Sequence, residues 1–414
     1  MRSTTTAVVT TPRAGAATGG SPGGELPSEA YAVALASVPG VGPRTLRAFL
    51  DSTSARSAWE SLVDGSARLP ASRQGASARG HARRTDVGAV WAAHVQAGVR
   101  VCLRGSPGYP RVLASDPEAP AVLFSLGDPT VLDSAGRVAI VGTRSATRYG
   151  LGVAAQLGAD LAAAGVVVVS GLALGVDGAA HEGAVAAWRT SRADPSAPTQ
   201  GTGGAYRRAG SAAPPVGVVA GSVATPYPRQ HAGLWRRVAD AGAVLSESPI
   251  GVADLAWRFP LRNRIIAAIA DVVVVVECHA RGGSFHTVQA ATARGVPVGA
   301  VPGSVRSPAS AGTNALLADG CFVVRDASDV LVAVGLASAA RTPSAAHEPD
   351  PRRARIDELP SPTAEVIAAV GWDPTSLDEI LERTGFATDA VCGALERLRA
   401  RGLVAGEAGW WTRE

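Results

Sequence analysis

The chain has 414 residues, with 39 basic against 35 acidic side chains and a formal net charge of +4. Every base is an arginine, which excludes sites that need a lysine, such as a P-loop, a pyridoxal Schiff base, a protein kinase or an SxxK hydrolase. Apolar residues make up 46 % of the chain but aromatic residues only 5 %, so Ala, Val, Leu and Ile have to build the cores. At about 150 residues per domain, the length predicts two or three domains.

Targeting and redox signals are weak. The longest aliphatic run, 272–276, is far shorter than the roughly 20 residues that span a bilayer. Residues 1–30 contain no apolar core of a secretory signal. The cysteines at 102, 278, 321 and 392 form no CxxC pair, which argues against zinc ribbons and disulfide frameworks. We therefore expect a cytoplasmic protein with no membrane segment and a disordered leader over residues 1–25.

Residues 26–110 are predicted to form an N-terminal helical domain. The turn around Gly40 and Gly42 resembles a helix-hairpin-helix, in which glycines let backbone N–H groups approach a phosphate. A plain glycine-rich turn between two helices is an equally good interpretation. The stretch 70–111 has seven arginines and one acid, which makes it the most basic segment of the chain.

Residues 111–336 are predicted to form a doubly wound α/β domain with a parallel sheet. Apolar runs without polar alternation, typical of strands buried on both faces, alternate with helical patterns. The predicted strands are 138–141, 166–169, 216–220, 243–246, 272–277 and 298–301, and the predicted helices are roughly 150–164, 177–188, 231–241, 263–270 and 285–293. Residues 189–215, rich in Ser, Thr, Gly and Pro, are predicted to be a surface insertion.

The C-terminal part begins with a predicted linker over residues 337–360. Residues 361–414 show three helical patterns and a hairpin that ends in Trp410-Trp411, which predicts a winged helix. This tail has five arginines and nine acids. The charge favours a protein-interaction or dimer role over reading duplex DNA, although Arg397, Arg399 and Arg401 fall on the third helix.

Glycine-rich loops follow three predicted strands at the edge where doubly wound sheets bind their ligands. The first loop lacks the GxGxxG spacing of a dinucleotide site. The second and third open helices whose free N–H groups can bind an anion. The candidate ligand-binding residues of these loops are Gly142, Thr143, Arg144, Ser170, Gly171, Gly283 and Ser284.

Two pairs of residues near these loops raise the question of catalysis or metal binding. Asp177 and His181 are one helical turn apart and could act as an acid–base pair. A helix N-terminal acid and a buried core histidine are the favoured interpretation. Cys278-His279 has no partner at metal-ligand spacing, so we expect no metal site.

The stretch 258–264 contains three arginines, Arg258, Arg262 and Arg264, next to Asn263. Guanidinium groups bind phosphate oxygens in pairs, so a polyanion is the favoured ligand. The alternative is that one or two of these arginines pair with Glu247 or Glu277 and hold the end of the sheet together. Residues 137–330 hold 17 arginines and 12 acids, which predicts salt-sensitive binding of nucleic acid. Stacking partners for bases are few, namely Tyr149, Tyr227, Trp257, Phe259 and Phe285.

These motifs resemble the DNA-processing protein family DprA, also called Smf. The resemblance runs in order through the α/β domain: Tyr109-Pro110, VAIVGTR at 138–144, SGLA at 170–173, Tyr227-Pro228, FPLRNRIIA at 259–267 and VPG at 301–303. The FPxRNRIIA stretch is nearly diagnostic. The sequence departs from the family at Gly282-Gly283-Ser284, where SGS is usual, and at His286, where an aliphatic residue is usual.

The resemblance implies an extended Rossmann-like fold that binds single-stranded DNA without cutting it. It also implies that the protein protects incoming DNA and loads the RecA recombinase during natural transformation or homologous recombination, usually as a homodimer. No catalytic residue and no cofactor are implied. Carried over by position, the DNA site would comprise Gly142, Thr143, Arg144, Ser170, Gly171, Arg229, Arg262, Asn263, Arg264, Gly283 and Ser284.

An enzyme is the alternative class. Rossmann-like nucleotide hydrolases of the lysine-decarboxylase-like group resemble this domain in layout. Their PGGxGTxxE loop is absent here, since Gln289 follows Thr287 without the acid. A pure protein-interaction scaffold would leave the three arginines of 258–264 unexplained.

Overall fold

The computed structural model describes residues 25–67, 73–133, 136–193, 212–252, 258–335, 360–371, 375–407 and 409–413. Contacts divide the chain into two compact units, Met1–Arg341 and Thr342–Glu414. Nearly all of the predicted leader and linker, residues 194–211 of the predicted insertion, and Trp257 lie outside the described residues. None of the described helices is long and apolar enough to cross a membrane.

The first unit opens with helices α1 to α5: Ser28–Ser37, Pro43–Ser52, Ala55–Asp64, Arg73–Ala82 and Val87–Gln96. Local sequence explains their ends. Gly40 has φ +89° in the turn before α2, and Pro43 occupies the first position of that helix, where its missing N–H has no intrahelical acceptor to lose. The side chains of Ser54 and Asp86 cap α3 and α5.

A nine-stranded sheet follows, in the order β1-β2-β6-β5-β4-β3-β7-β8-β9. β3 to β9 are parallel to their neighbours, whereas β1 pairs antiparallel with β2, and β2 with β6. The strands are Arg100–Leu103, Val122–Gly127, Arg137–Val141, Val167–Ser170, Val216–Val218, Ala243–Ser246, Val272–Val275, Val298–Ala300 and Phe322–Val323.

The six predicted strands are present as β3 to β8, and the doubly wound fold is confirmed. β1 and β9 carried no clear signal, because β9 has two residues and β1 is buried at only one of its four positions. β2 was not predicted, although its first four residues are buried. β1 lies within the stretch predicted as the N-terminal helical domain, yet it pairs with β2 in the sheet. The helical part thus ends before residue 100.

Eight helices of the first unit surround the described strands: α6 Arg111–Ala114, α7 Arg148–Ala163, α8 Val176–Ala193, α9 Ala232–Ala241, α10 Arg258–Ile269, α11 Ser284–Thr292, α12 Ala311–Ala318 and α13 Ala327–Ala333. α10 begins five residues before the predicted start at 263. Pro260 is tolerated there because the first turn of a helix has no intrahelical acceptors for its N–H groups. The arginine-rich stretch 258–264 is therefore helical.

Both faces of the parallel sheet are covered, as the unbroken apolar runs predict. In β3, Val138 and Ile140 pack with α7 and α8, while Ala139 and Val141 pack with α10 and α11. The N-terminal helices share a core with Phe124 of β2 and Trp235 of α9. This layering places the N-termini of α7, α8, α10 and α11 at one edge of the sheet, where β3, β4 and β7 end.

The second unit is a winged helix, as predicted. It consists of α14 Thr363–Ala369, β10 Thr375–Ser376, α15 Leu377–Thr384, α16 Thr388–Ala400, β11 Val404–Glu407 and β12 Trp410–Arg413. The three strands pair in the order β10-β12-β11. Ser376 and Glu379 form a capping box on α15. On α16, Arg397 donates to Thr363 Oγ1 and Arg399 pairs with Glu396.

Candidate functional site

A pocket of about 380 Å³ opens at the carboxyl edge of the sheet, where β3 lies between β4 and β7. The strand order reverses at this point, which is where open α/β sheets bind ligands. The loop after β3, the loop after β7 and the first turns of α10 and α11 form its walls. Its lining includes Gly142, Thr143, Arg144, Asp177, Phe259, Arg262, Asn263, Gly283, Ser284, His286 and Thr287.

Arg144 is the exposed cation of the pocket wall. Its guanidinium carbon lies 4.8 Å from the centroid of the Phe259 ring. The Phe259 ring in turn lies 5.7 Å from the ring of Tyr227, which is 47 % exposed. A cation and two aromatic rings thus form a continuous row from the pocket to solvent. A cation–aromatic contact orients the guanidinium without neutralising it.

The backbone of the first loop is held close to the neighbouring strand. The Thr143 N–H donates to the Glu277 carbonyl at 2.8 Å, and Thr143 Oγ1 lies 3.4 Å from His279 Nδ1. A side chain at Gly142 would stand 2.5 Å from Val176 Cγ2 and 2.8 Å from the Glu277 carbonyl oxygen. Gly142 is therefore required by close approach of the chain.

Four helices have their N-termini at this edge, and those of α7 and α8 already hold a carboxylate. Glu277, 1 % exposed, accepts hydrogen bonds from the Thr147 N–H at 2.8 Å and Thr147 Oγ1 at 2.6 Å, before α7. Asp177 in the first turn of α8 accepts from the Gly171 N–H at 3.1 Å. α11 has Gly283 at its N-cap and no acid in its first turn. The pocket is therefore lined by two helix N-termini without an acid, those of α10 and α11, and their positive ends favour an anion.

Arg262 is part of the pocket wall but is buried, with 6 % exposure. Its Nη1 donates to the Gly171 carbonyl at 2.8 Å and to the Val218 carbonyl, and its Nε donates to Asn263 Oδ1 at 3.1 Å. Burial lowers the pKa of Arg262 to about 10. A side chain at Gly171 would lie 2.3 Å from Arg262 Nη1, so the second glycine-rich loop makes room for this guanidinium.

The other two arginines of the stretch contact the protein away from the pocket lining. Arg264 is two residues from Arg262 and so faces another side of α10. It pairs with Glu247, whose side chain is 11 % exposed, and its Nη1 donates to the Glu118 carbonyl at 2.6 Å. Arg258 donates to Ser248 Oγ at 2.8 Å. The alternative interpretation, pairing with Glu247, is confirmed for Arg264, while Glu277 caps α7 instead.

The remaining predicted residues differ in access. Ser170 is fully buried and its hydroxyl donates to the Ile140 carbonyl at 2.6 Å. Arg229 is exposed in a short 3-10 turn outside the pocket lining. Ser284 is buried in the pocket wall at the start of α11. The structure thus brings Gly142, Thr143, Arg144, Arg262, Asn263, Gly283 and Ser284 together and leaves Ser170, Gly171, Arg229 and Arg264 outside the lining.

Asp177 lies in the first turn of α8 and His181 is a buried core histidine, as the favoured interpretation predicts. Burial raises the pKa of Asp177 in spite of the nearby Arg262. His181 is fully buried, its Nε2 lies 3.2 Å from the Val216 carbonyl, and burial lowers its pKa to about 4. The described residues contain no group of three or more His, Cys, Asp or Glu that could hold a metal.

Sequence reasoning missed two features of the site. Leu172, directly after Gly171, has φ +54° and is fully buried, and its carbonyl accepts from His231 Nδ1 at 3.0 Å. A non-glycine residue in the left-handed region is uncommon and concentrates at functional sites. The capping role of Glu277 was also missed, because its partner Thr147 is 130 residues away. No local sequence pattern predicts the left-handed backbone at Leu172 or the capping of α7 by Glu277.

A doubly wound sheet with a pocket at its switch point in the first unit and a winged helix in the second define a Rossmann-like protein with a winged-helix domain. The family model described as DNA recombination-mediator protein A matches residues 100–194 and 201–335. The model described as DprA winged helix domain matches residues 345–409. The chain belongs to the DprA/Smf family.

The sequence is similar to those of curated relatives over most of the chain. The putative DNA processing protein DprA of Mycobacterium tuberculosis is 38 % identical over 295 residues, which cover 71 % of this chain and 68 % of the relative. Protein Smf of Escherichia coli is 31 % identical over 309 residues, which cover 74 % of this chain and 75 % of the relative. The X-ray structure of DprA from Streptococcus pneumoniae superposes with a TM-score of 0.58 at 26 % identity, covering 73 % of this chain and 97 % of that one.

Proposed function

We propose that this protein binds single-stranded DNA in the pocket at the β3–β7 switch point without cutting it. In this proposal it protects incoming strands and loads the RecA recombinase onto them in natural transformation or homologous recombination, acting as a homodimer in the cytoplasm. Membership of the DprA/Smf family supports the role in recombination. The arrangement of Arg144, the α11 N-terminus and the Phe259–Tyr227 pair supports DNA as the ligand.

The observation that carries the proposal is that an exposed guanidinium and a helix N-terminus without an acid line one pocket. Arg144 supplies a charged hydrogen-bond donor. The α11 N-terminus supplies a favourable dipole, while its Phe285 and His286 N–H groups donate to the Gly282 and Gly283 carbonyls at 3.2 and 3.3 Å. Guanidinium groups and helix N-termini both bind phosphate. Tyr227 and Phe259 lie at the mouth, where unpaired bases can stack on them. Duplex bases are already stacked on each other, so this combination favours a single strand.

The pocket offers little for hydrolysis. Asp177 is the carboxylate among its lining residues, and its Oδ2 accepts from the Gly171 N–H beside the Arg262 guanidinium. A carboxylate held in this way is poorly placed to activate water, since a general base has to reach the attacking molecule. This geometry favours binding over the alternative of nucleotide hydrolysis.

The test is fluorescence anisotropy of a labelled poly-dT strand, titrated with protein at low and moderate salt with a duplex as competitor. We expect salt-sensitive binding that prefers the single strand, and an at least tenfold weaker affinity for Arg144→Ala. Arg236→Ala is the matched control, because Arg236 is exposed on α9, lies outside the pocket lining and donates to the Ala232 carbonyl of its own helix. Equal affinity of all three proteins would contradict the pocket assignment.

Two further measurements address the rest of the proposal. Nucleoside monophosphate hydrolysis by the wild-type protein would favour the enzyme alternative, and we expect none. RecA ATPase activity on strands precoated with a single-strand-binding protein should rise when this protein is added, and light scattering should give the mass of a dimer. Binding without stimulation would limit the function to strand protection.

A further inference from the structure

Five of the loops at the carboxyl edge of the parallel sheet are strongly one-sided in charge, whereas Glu247 and Asp254 follow β6 and Asp326 follows β9. In the loops after β3, β4, β5, β7 and β8, residues 142–148, 171–175, 219–231, 276–283 and 301–308, the sequence has one acid, Glu277. That acid is 1 % exposed and caps α7. The arginines of these loops, all exposed, are Arg144, Arg148, Arg229, Arg281 and Arg306.

Three of these arginines form what we call the outer patch, Arg148, Arg281 and Arg306. They lie outside the pocket lining and outside the set that the family resemblance implies. Within the described parts of the chain, none of the three makes an ion pair. Their charge is therefore available to a ligand.

The loops that carry the outer patch are tied to one another. The Cys278 N–H donates to the Ala309 carbonyl at 2.9 Å, and the Gly312 N–H donates to the Cys278 carbonyl at 2.7 Å. Asn314 exchanges two hydrogen bonds with the backbone of Gly303, at 3.2 and 3.0 Å. The loops after β7 and β8 therefore form one supported surface.

The first turn of α7 joins the same surface. The Tyr149 hydroxyl donates to the Pro302 carbonyl at 2.8 Å, which connects the residue after Arg148 to the loop that carries Arg306. The apex of that loop presents Val305, 91 % exposed. An exposed apolar side chain next to Arg306 in sequence suits a polymer with alternating charged and apolar parts, such as a nucleic-acid strand.

The strand order sets the direction of this surface. β3, β7 and β8 are consecutive in the sheet, so at about 4.8 Å per strand the β8 loop lies about 10 Å from the end of β3. A phosphate bound between Arg144 and α11 leaves the outer patch unfilled. A longer strand can reach it by continuing along the edge over β7 and β8.

We propose that the outer patch is a second phosphate-binding segment, so that a single strand seated in the pocket continues over Arg281 toward Arg306. The inference rests on the proposed function and adds a direction and a longer footprint to it. The proposal predicts that the effect of removing the patch depends on strand length, because a short strand occupies only the pocket.

The experiment compares dT4 and dT15 binding to the wild-type protein and to Arg281→Ala/Arg306→Ala, over a range of salt concentrations. With dT15, we expect a five- to twentyfold weaker affinity. Each phosphate contact contributes about 0.7 to the salt slope of a single strand, so two lost contacts should reduce the slope by about 1.4. With dT4, the affinity should change less than twofold.

The matched control is Arg192→Ala/Arg236→Ala, which removes the same charge from exposed positions on α8 and α9. It should bind both strands within twofold of wild type. Melting temperatures of all variants check that they fold.

The outcomes separate the two proposals. In one outcome, dT15 binds the double variant with wild-type affinity and salt slope, while Arg144→Ala weakens dT15 binding. This result would overturn the proposed role of the outer patch and would leave the pocket assignment in place. Equal weakening of dT4 and dT15, or equal weakening by the control, would also overturn the path, since it indicates general attraction. If the wild type binds neither strand, the proposed function fails and the inference fails with it.

Discussion

The first turns of α10 and the loop after β3 are two basic regions that lie within one pocket wall, and they use arginine in opposite ways. In α10, Arg258, Arg262 and Arg264 all donate to protein acceptors. In the loop after β3, Arg144 is exposed and rests on Phe259. The three closely spaced arginines of α10 therefore mainly stabilise the fold. Arg144 in the loop after β3 carries the charge that is accessible to a ligand.

The difference shows what decides whether an arginine is available. Helical geometry points residues 262 and 264 to different sides of α10, and each side presents acceptors: carbonyls of Gly171 and Val218 on one, Glu247 on the other. Arg144 makes no ion pair within the described residues, because Glu277 is occupied by the cap of α7 and Asp177 accepts from the Gly171 N–H beside Arg262. Availability depends on the acceptors nearby, which local charge density does not reveal.

The largest expected effect concerns stability. Arg264→Ala leaves the Glu247 carboxylate, whose side chain is 11 % exposed, without its partner. Removing one member of a buried ion pair costs about 3–5 kcal/mol, which urea denaturation should show. The double variant Arg264→Ala/Glu247→Gln should recover part of the loss. A stable Arg264→Ala protein with weakened DNA binding would instead place Arg264 in the site.

The second expected effect is a pH dependence of the stability. It tests whether the fold tolerates a protonated, positively charged His181 near Arg262. The pKa of His181 is lowered to about 4 by burial, below that of an unfolded histidine. The unfolded chain therefore binds the proton more tightly, so stability falls as the pH drops from about 6.5 toward 4. Between pH 7 and pH 5 this residue should remove about 2 kcal/mol.

Urea denaturation at the two pH values measures this effect, with His181→Gln as the comparison. The variant should lose about 2 kcal/mol less than the wild type between pH 7 and pH 5. An identical pH dependence of the two proteins would show that His181 is not the group responsible.

The smallest expected effect sharpens the role of Arg144. Arg144→Lys keeps a positive charge but loses the planar guanidinium that rests on Phe259 at 4.8 Å. We expect a two- to fourfold weaker affinity for poly-dT, a melting temperature unchanged within error, and an unchanged salt slope. A loss as large as that of Arg144→Ala would mean that geometry matters more than charge at this position.

Several elements followed from the sequence alone. The apolar runs at 138–141, 243–246 and 272–277 predicted buried parallel strands because no polar residue interrupts them. The winged helix followed from three helical patterns and a hairpin. The FPLRNRIIA stretch and the GTR motif pointed to the family. These signals are local or depend on order along the chain, which sequence reasoning can use.

The start of α10 and the two edge strands β1 and β9 did not follow. Pro260 and the charges around it favour a loop in sequence, whereas packing of Ile265 and Ile266 against the sheet extends the helix to Arg258. β9 has two residues and gains its place by pairing with β8. Contacts between distant segments outweigh local preference at these points.

The sequence by itself determined the fold class, the family and the edge of the sheet where ligands bind, because the signals for strands and strand-to-helix loops lie within short segments of the chain. Only the tertiary structure decided which charged groups at that edge are available. Glu277 reaches Thr147, Glu247 reaches Arg264, and Arg262 reaches the Gly171 carbonyl. A charge is neutralised or desolvated by partners far away along the chain, and folding brings those partners together.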